Sequence, residues 1–112
     1  MSNPRYKNGN RRRKMRARFK AMQLPCAICG RPIDYEAPSN SDHPLSFVLD
    51  EDHPVSRWRE FGYSSPSEAA QDWDNVQAVH WICNAKKSNN TTREIRRKMN
   101  QPVIKNVLDG NW

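Results

Sequence analysis

Two short pairs constrain this chain more than anything else in it: Cys26-x-x-Cys29 and His80-x-x-Cys83. A two-residue spacer lets both side chains of a pair reach one ion, and Gly30 permits the tight turn behind the first pair. Four N/S donors suit a closed tetrahedral zinc site. The bland alternative is two buried thiols, one stray thiol and a packed histidine. Composition explains why a staple is needed. A chain of 112 residues has room for one domain, its hydrophobic fraction is 36%, and its mean hydropathy is −1.03. That is a thin core, and small thin-cored chains usually need a metal or disulfides. Structural zinc supplies an apparent ~10–16 kcal/mol at pH 7 in finger peptides. The cysteine count, 3, is odd and argues against a closed disulfide framework. No apolar run approaches signal-peptide or membrane-span length, so a reducing cytoplasmic compartment is expected.

The charge is +7 and unevenly spread. Residues 1 to 33 hold 10 Lys or Arg, and the first acid is Asp34. Acids cluster between Asp34 and Asp74, and bases return from Lys86 onward. A one-sign terminus beside an acid-bearing middle suits a polyanion binder with a metal or catalytic centre. The competing reading is a solvated basic tail or a localisation signal.

Met1 to Asn10 shows no apolar period and reads as a disordered arm. Arg11 to Met22 predicts a basic amphipathic helix, with Met15, Phe19 and Met22 as its apolar stripe. Its other faces carry Arg11, Arg12, Arg13 and Arg16, expected to face phosphates. Glu36 to Pro44 is a connector. Leu45 to Leu49 predicts a short strand running into Asp52-His53, and Pro54 ends regular pairing. Ser65-Pro66-Ser67-Glu68 has the form of a helix start, leading to about Asp72. His80 to Lys87 should turn into a helix. Thr91-x-x-Glu94 opens a last one to about Met99, with Ile95 and Met99 inward and Arg93, Arg96, Arg97 and Lys98 outward, the three arginines expected to contact nucleic acid. Gln101 to Trp112 is ambiguous.

The middle of the chain carries a second chemistry. Hydrolysis of a phosphodiester needs an activated water and stabilisation of the charge on the phosphate oxygens. An imidazole that titrates near neutrality takes the proton, and a hard divalent cation on oxygen ligands stabilises the phosphate. Asp52 and the Asn84 side-chain carbonyl offer such ligands. Asp42-His43-Pro44 repeats the tripeptide Asp52-His53-Pro54. His53 is favoured as the base because it closes a strand-like run, which can fix its geometry. Asp50 would share a strand face with Asp52 and reads as a solvated acid.

The order Cys-x-x-Cys, strand-Asp-His, Asp-Asn-Val, then His-x-x-Cys-Asn-x-x-Lys resembles the HNH endonucleases, the ββα-metal nucleases. It covers about Cys26 to Lys87. The resemblance implies that Asp52 binds a catalytic metal (Mg²⁺ or another divalent ion) and that His53 is the general base. It implies that Asn75 orients the base and ties its loop to the strand, and that Asn84 is the second metal ligand. This is an H-N-N variant in which Lys87 matches a frequent basic residue that contacts phosphate; Lys86 beside it is also expected on nucleic acid. Two departures stand out: Glu51 occupies a position usually apolar, and Ser56 to Asp72 replaces a Gly-Gly turn. The implied fold is a small α+β, ββα-metal domain of treble-clef-like form with structural zinc, flanked by basic helices. Its expected parts are a basic arm and helix (1–24), a nuclease core (25–90) and a C-terminal basic helix and tail (91–112). The implied activity is nicking or weakly specific cleavage of DNA. The layout resembles phage and prophage proteins, some of which work with the terminase large subunit in DNA packaging. No membrane partner is expected, and the oligomeric state is open. A different class stays in play, a non-catalytic zinc-finger nucleic-acid-binding protein; a ribosome-associated basic protein explains only the charge. The enzyme reading loses most of its support if the Asp52 carboxylate, the His53 ring and the Asn84 amide do not face one cavity.

Overall fold

A computed structural model describes residues 9–100. The predicted arm at residues 1–8 and the tail at 101–112 lie outside the described residues. The described chain is a small α+β domain with four helices and one two-stranded sheet.

The first helix, α1 (Gly9–Met22), buries Met15 and Phe19, the two central members of its stripe. Met22 does not join them and is 44% exposed. The reason is local: Gln23 takes φ +52° and its backbone N–H bonds to Phe19 O at 3.2 Å, so the helix stops as the chain turns toward Cys26. Arg11 and Arg12 hold the other end of α1. Arg11 Nε donates to Gln71 O at 2.8 Å, and Arg12 donates to Ala70 O at 2.7 Å and Leu49 O at 3.4 Å. The Ala70 and Gln71 carbonyls lie at the end of the next helix, where unpaired acceptors are well satisfied by a cation.

Strand β1 (Phe47–Glu51) pairs antiparallel with β2 (Val76–His80), with Phe47 opposite His80 and Glu51 opposite Val76. The strand therefore sits two residues later than the apolar run suggested at its start, and it takes in Asp50 and Glu51. Phe47, Leu49, Ala78 and Val79 join Met15, Phe19, Ile28, Tyr35 and Ile95 in the main core. Between the strands lie a single 3-10 turn (Val55–Arg57) and helix α2 (Pro66–Gln71). They form a satellite core of Val55, Ala69 and Ala70 under Trp58 and Tyr63.

The helix starts follow the capping chemistry. Ser65 Oγ accepts from Glu68 N at 3.1 Å, while Glu68 reaches back to Ser64 N–H, one residue beyond the cap. Helix α3 (Trp81–Lys87) begins directly after β2. Helix α4 (Thr92–Met99) has a complete box: Thr91 Oγ1 accepts from Glu94 N, and Glu94 accepts from Thr91 N. Ile95 is buried, but Met99, expected inward, is 42% exposed in the last turn. No helix among the described residues is long and apolar enough to cross a membrane.

Candidate metal centre and polar sites

The knuckle that presents the first ligand pair is built by backbone bonds. Cys26 N donates to Arg31 O at 2.9 Å and Gly30 N donates to Cys26 O at 2.8 Å, with Gly30 at φ +79°. Ala27 N bonds to Ala78 O at 3.0 Å, which docks the knuckle on β2. The last residue of β2 is His80, and α3 supplies Cys83 one turn later. Ligand atoms of Cys26, Cys29, His80 and Cys83 all lie within 4.8 Å of one another. This cluster is the one grouping of three or more Cys, His, Asp or Glu among the described residues that could hold a metal.

Its details fit zinc. His80 Nδ1 faces the sulfurs, at 3.2 Å from Cys29 and 3.7 Å from Cys83. His80 Nε2 lies 2.7 Å from Pro32 O, so that nitrogen carries the proton and donates. A second hydrogen bond of this kind fixes the ring and leaves the other nitrogen for the ion. The backbone N–H groups of Ile28 and His80 each point at Cys26 Sγ at 3.4 Å, a setting for a thiolate. Burial first, then the neighbouring sulfurs of Cys26 and Cys29, push the Cys83 thiol upward. Packed thiols resist ionising together, and a divalent cation removes that conflict.

The second polar site lies where β1 ends. Asn75 is 3% exposed and grips both backbone groups of His53: His53 N donates to Asn75 Oδ1 at 2.8 Å, and Asn75 Nδ2 donates to His53 O at 3.1 Å. The same Nδ2 reaches Ala69 O at 3.0 Å, and Asp52 N donates to Asn75 O at 2.8 Å. Asn75 thus ties the His53 loop to the start of β2 and to α2. The His53 Nε2 and Asp52 Oδ2 atoms are 4.0 Å apart, and both side chains are 39% exposed. Asp52 Oδ1 accepts from Thr92 N at 2.9 Å, at the first turn of α4. The His53 ring stacks on Phe61 at 4.0 Å with a 7° interplanar angle. Phe61 belongs to the segment that replaces the expected turn.

Asn84 is on α3, and Glu51 and Pro54, which flank the Asp52-His53 pair, share a cavity with it. It lines two cavities, of about 440 and 500 Å³, and neither Asp52 nor His53 lines either one. The smaller of the two is lined instead by Asp50, Glu51 and Lys87. These three were misjudged or missed. Asp50, expected to be solvated, is buried: Gln77 Nε2 donates to its Oδ2 at 3.0 Å and Lys87 Nζ lies 3.4 Å away. Burial first raises its carboxyl from the ordinary range, against the pull of Lys87. Lys87, expected near phosphate, is 1% exposed and donates to Glu51 O at 2.7 Å. Glu51 is 2% exposed and pairs with Arg12 at 3.2 Å. The signal was the length of the strand: extending it by two residues turns Asp50 and Glu51 from loop acids into strand residues facing packed elements.

The expected nucleic-acid contacts divide the same way. Arg11 and Arg12 are half-buried anchors of α1, whereas Arg13 and Arg16 are exposed. Arg93 and Arg97 are exposed on α4. Lys86 and Arg96 join Arg31 around a cavity of about 430 Å³ beside the cysteine-histidine cluster. His43, the alternative to His53, is exposed in the connector.

Compared with protein-family profiles, curated proteins and solved structures, the chain matches none of them.

Proposed function

We propose that this chain is a metal-dependent DNA endonuclease that hydrolyses phosphodiester bonds, nicking or with weak sequence specificity. The observation that carries the reading is the grip of Asn75 on both backbone groups of His53. It holds a half-exposed Asp52-His53 pair at the end of a strand, in a domain whose second strand and third helix share the zinc-type cluster. That is the arrangement a hydrolytic base needs: a ring within reach of solvent on a loop with little freedom. His53 would take the proton of the attacking water, and Asp52, fixed by Thr92 N–H, would offer oxygen to a cation. A divalent ion such as Mg²⁺, when bound, would stabilise charge on the phosphate. The exposed arginines of α1 and α4 would position the backbone without reading sequence. The order of motifs favours a phage or prophage origin and a role beside the terminase large subunit in DNA packaging.

A second reading has its own observation. The two cavities that Asn84 lines, of about 440 and 500 Å³, take no lining from Asp52 or His53, which suits a non-catalytic zinc domain that binds nucleic acid. Plasmid nicking separates the two. Zinc-loaded wild type and His53→Ala are assayed with Mg²⁺, Mn²⁺ or EDTA. Metal-dependent relaxation lost in the variant supports the enzyme. Tight DNA binding with no relaxation by wild type supports the zinc domain.

A further inference from the structure

We propose that the cavity between α1 and the start of α3 is a pocket for one unpaired nucleotide of a DNA strand. The inference rests on the DNA-binding part of the reading above and adds the form of DNA preferred. The cavity measures about 500 Å³, within the range of small-ligand sites. Arg13 and Arg16 line it from α1, Trp81 and Asn84 from α3, and Val48 and Leu49 from β1. No carboxylate lines it.

Each group suits one part of a nucleotide. The guanidinium forks of Arg13 and Arg16 match phosphate oxygens. Arg16 is already placed, with its guanidinium 4.6 Å from the Phe47 ring centroid and Nη2 3.3 Å from Ser39 Oγ. Trp81 supplies an aromatic face for a base. It is the first residue of α3, follows the ligand His80, and its backbone N–H donates to Ser46 O at 2.9 Å, so its position follows from the fold. The Asn84 amide carries a donor and an acceptor side by side, the pattern that reads a base edge. A base inside a duplex stack cannot enter such a pocket, whereas an unpaired one stacks readily. The cavity beside the zinc-type cluster has cations too, but its one ring is the His80 imidazole, committed to the cluster, and no Trp, Tyr or Phe lines it.

The test compares binding of a labelled 12-nucleotide single strand with binding of a blunt hairpin duplex, at one fixed salt concentration. The proteins are zinc-loaded wild type and Trp81→Leu, both checked for zinc content and helix signal. Trp81→Leu should weaken single-strand binding about five- to hundredfold, the worth of one stacked base. Duplex binding should change less than about twofold. Equal losses on both DNAs, or none on either, would overturn the proposal. Should Trp81→Leu fail to fold, wild type is cross-linked to a strand carrying 5-iodouracil. Attachment at Trp81 supports the pocket; attachment only at other residues refutes it. Strand binding that depends on Trp81 in a protein without cleavage would keep the pocket and remove the enzyme. Cleavage indifferent to Trp81 would do the reverse.

Discussion

Asn75→Ala tests the polar site most sharply. The side chain makes three hydrogen bonds, two to His53 backbone groups and one to Ala69 O. Each bond contributes about 0.5–1.5 kcal/mol net, and a buried group left without a partner costs more. The sum is about 3 kcal/mol, with the Ala69 carbonyl suffering most because it sits in the satellite core. A domain of this size holds about 5–15 kcal/mol in total, so the variant should fold yet be clearly weakened. The expected fall in Tm is about 12–24 °C. Urea unfolding of wild type and variant at saturating zinc gives the number. Asn75→Asp keeps the acceptor for His53 N–H but loses both donations and sets a carboxylate against two carbonyls. It should therefore be no better than alanine. A loss below about 1 kcal/mol for Asn75→Ala would refute the view that this side chain holds the loop, and the rigid placement of His53 would fall with it.

Further outcomes follow from other contacts. Lys87→Ala strands the buried Asp50 carboxylate, and breaking such a pair costs about 3–5 kcal/mol, whereas adding Asp50→Asn to it should recover a large part; denaturant curves of the two variants check this. Thr91→Ala removes half of the capping box and should cost about 1 kcal/mol, read as a small shift of the urea midpoint. Tyr63 is pushed up to about 12, by burial first and then by donating to Asp72 Oδ2 at 2.9 Å. A folded pKa raised above the unfolded value stabilises fully below about 10, and that contribution disappears as pH rises through about 12. Ultraviolet titration should show a late tyrosine ionisation that Tyr63→Phe removes, together with the matching slope of stability between those values.

Much of this fold is written in local signals. The Ser65 cap and the Thr91 capping box set helix starts because side-chain oxygens satisfy backbone donors within four residues, which needs no tertiary knowledge. The two ligand pairs were readable because the donor types and spacers are chemically restrictive, and the structure brings all four together. Met22 and Met99 were misplaced because periodicity says which face is apolar but not how far the neighbouring element extends along it. Lys87 and Asp50 were misplaced because a charge looks solvated in sequence; only the packing of α3 against β1 shows that each supplies the other's partner. Arg12 is the same case, a cation used to close the end of α2 and to pair with Glu51. The placement of Asn84 depends on how α3 leaves the zinc-type cluster, a tertiary relation that adjacency to Cys83 could not supply.

Both the fold and the functional reading rest on the four-ligand centre, so its direct measurement is X-ray absorption at the zinc edge on protein purified without added chelator. The account expects one zinc per chain with three sulfurs at about 2.3 Å and one nitrogen at about 2.0–2.1 Å, lost with the helix signal on chelation. A protein that keeps its fold without zinc, or a shell lacking the nitrogen of His80, would contradict it.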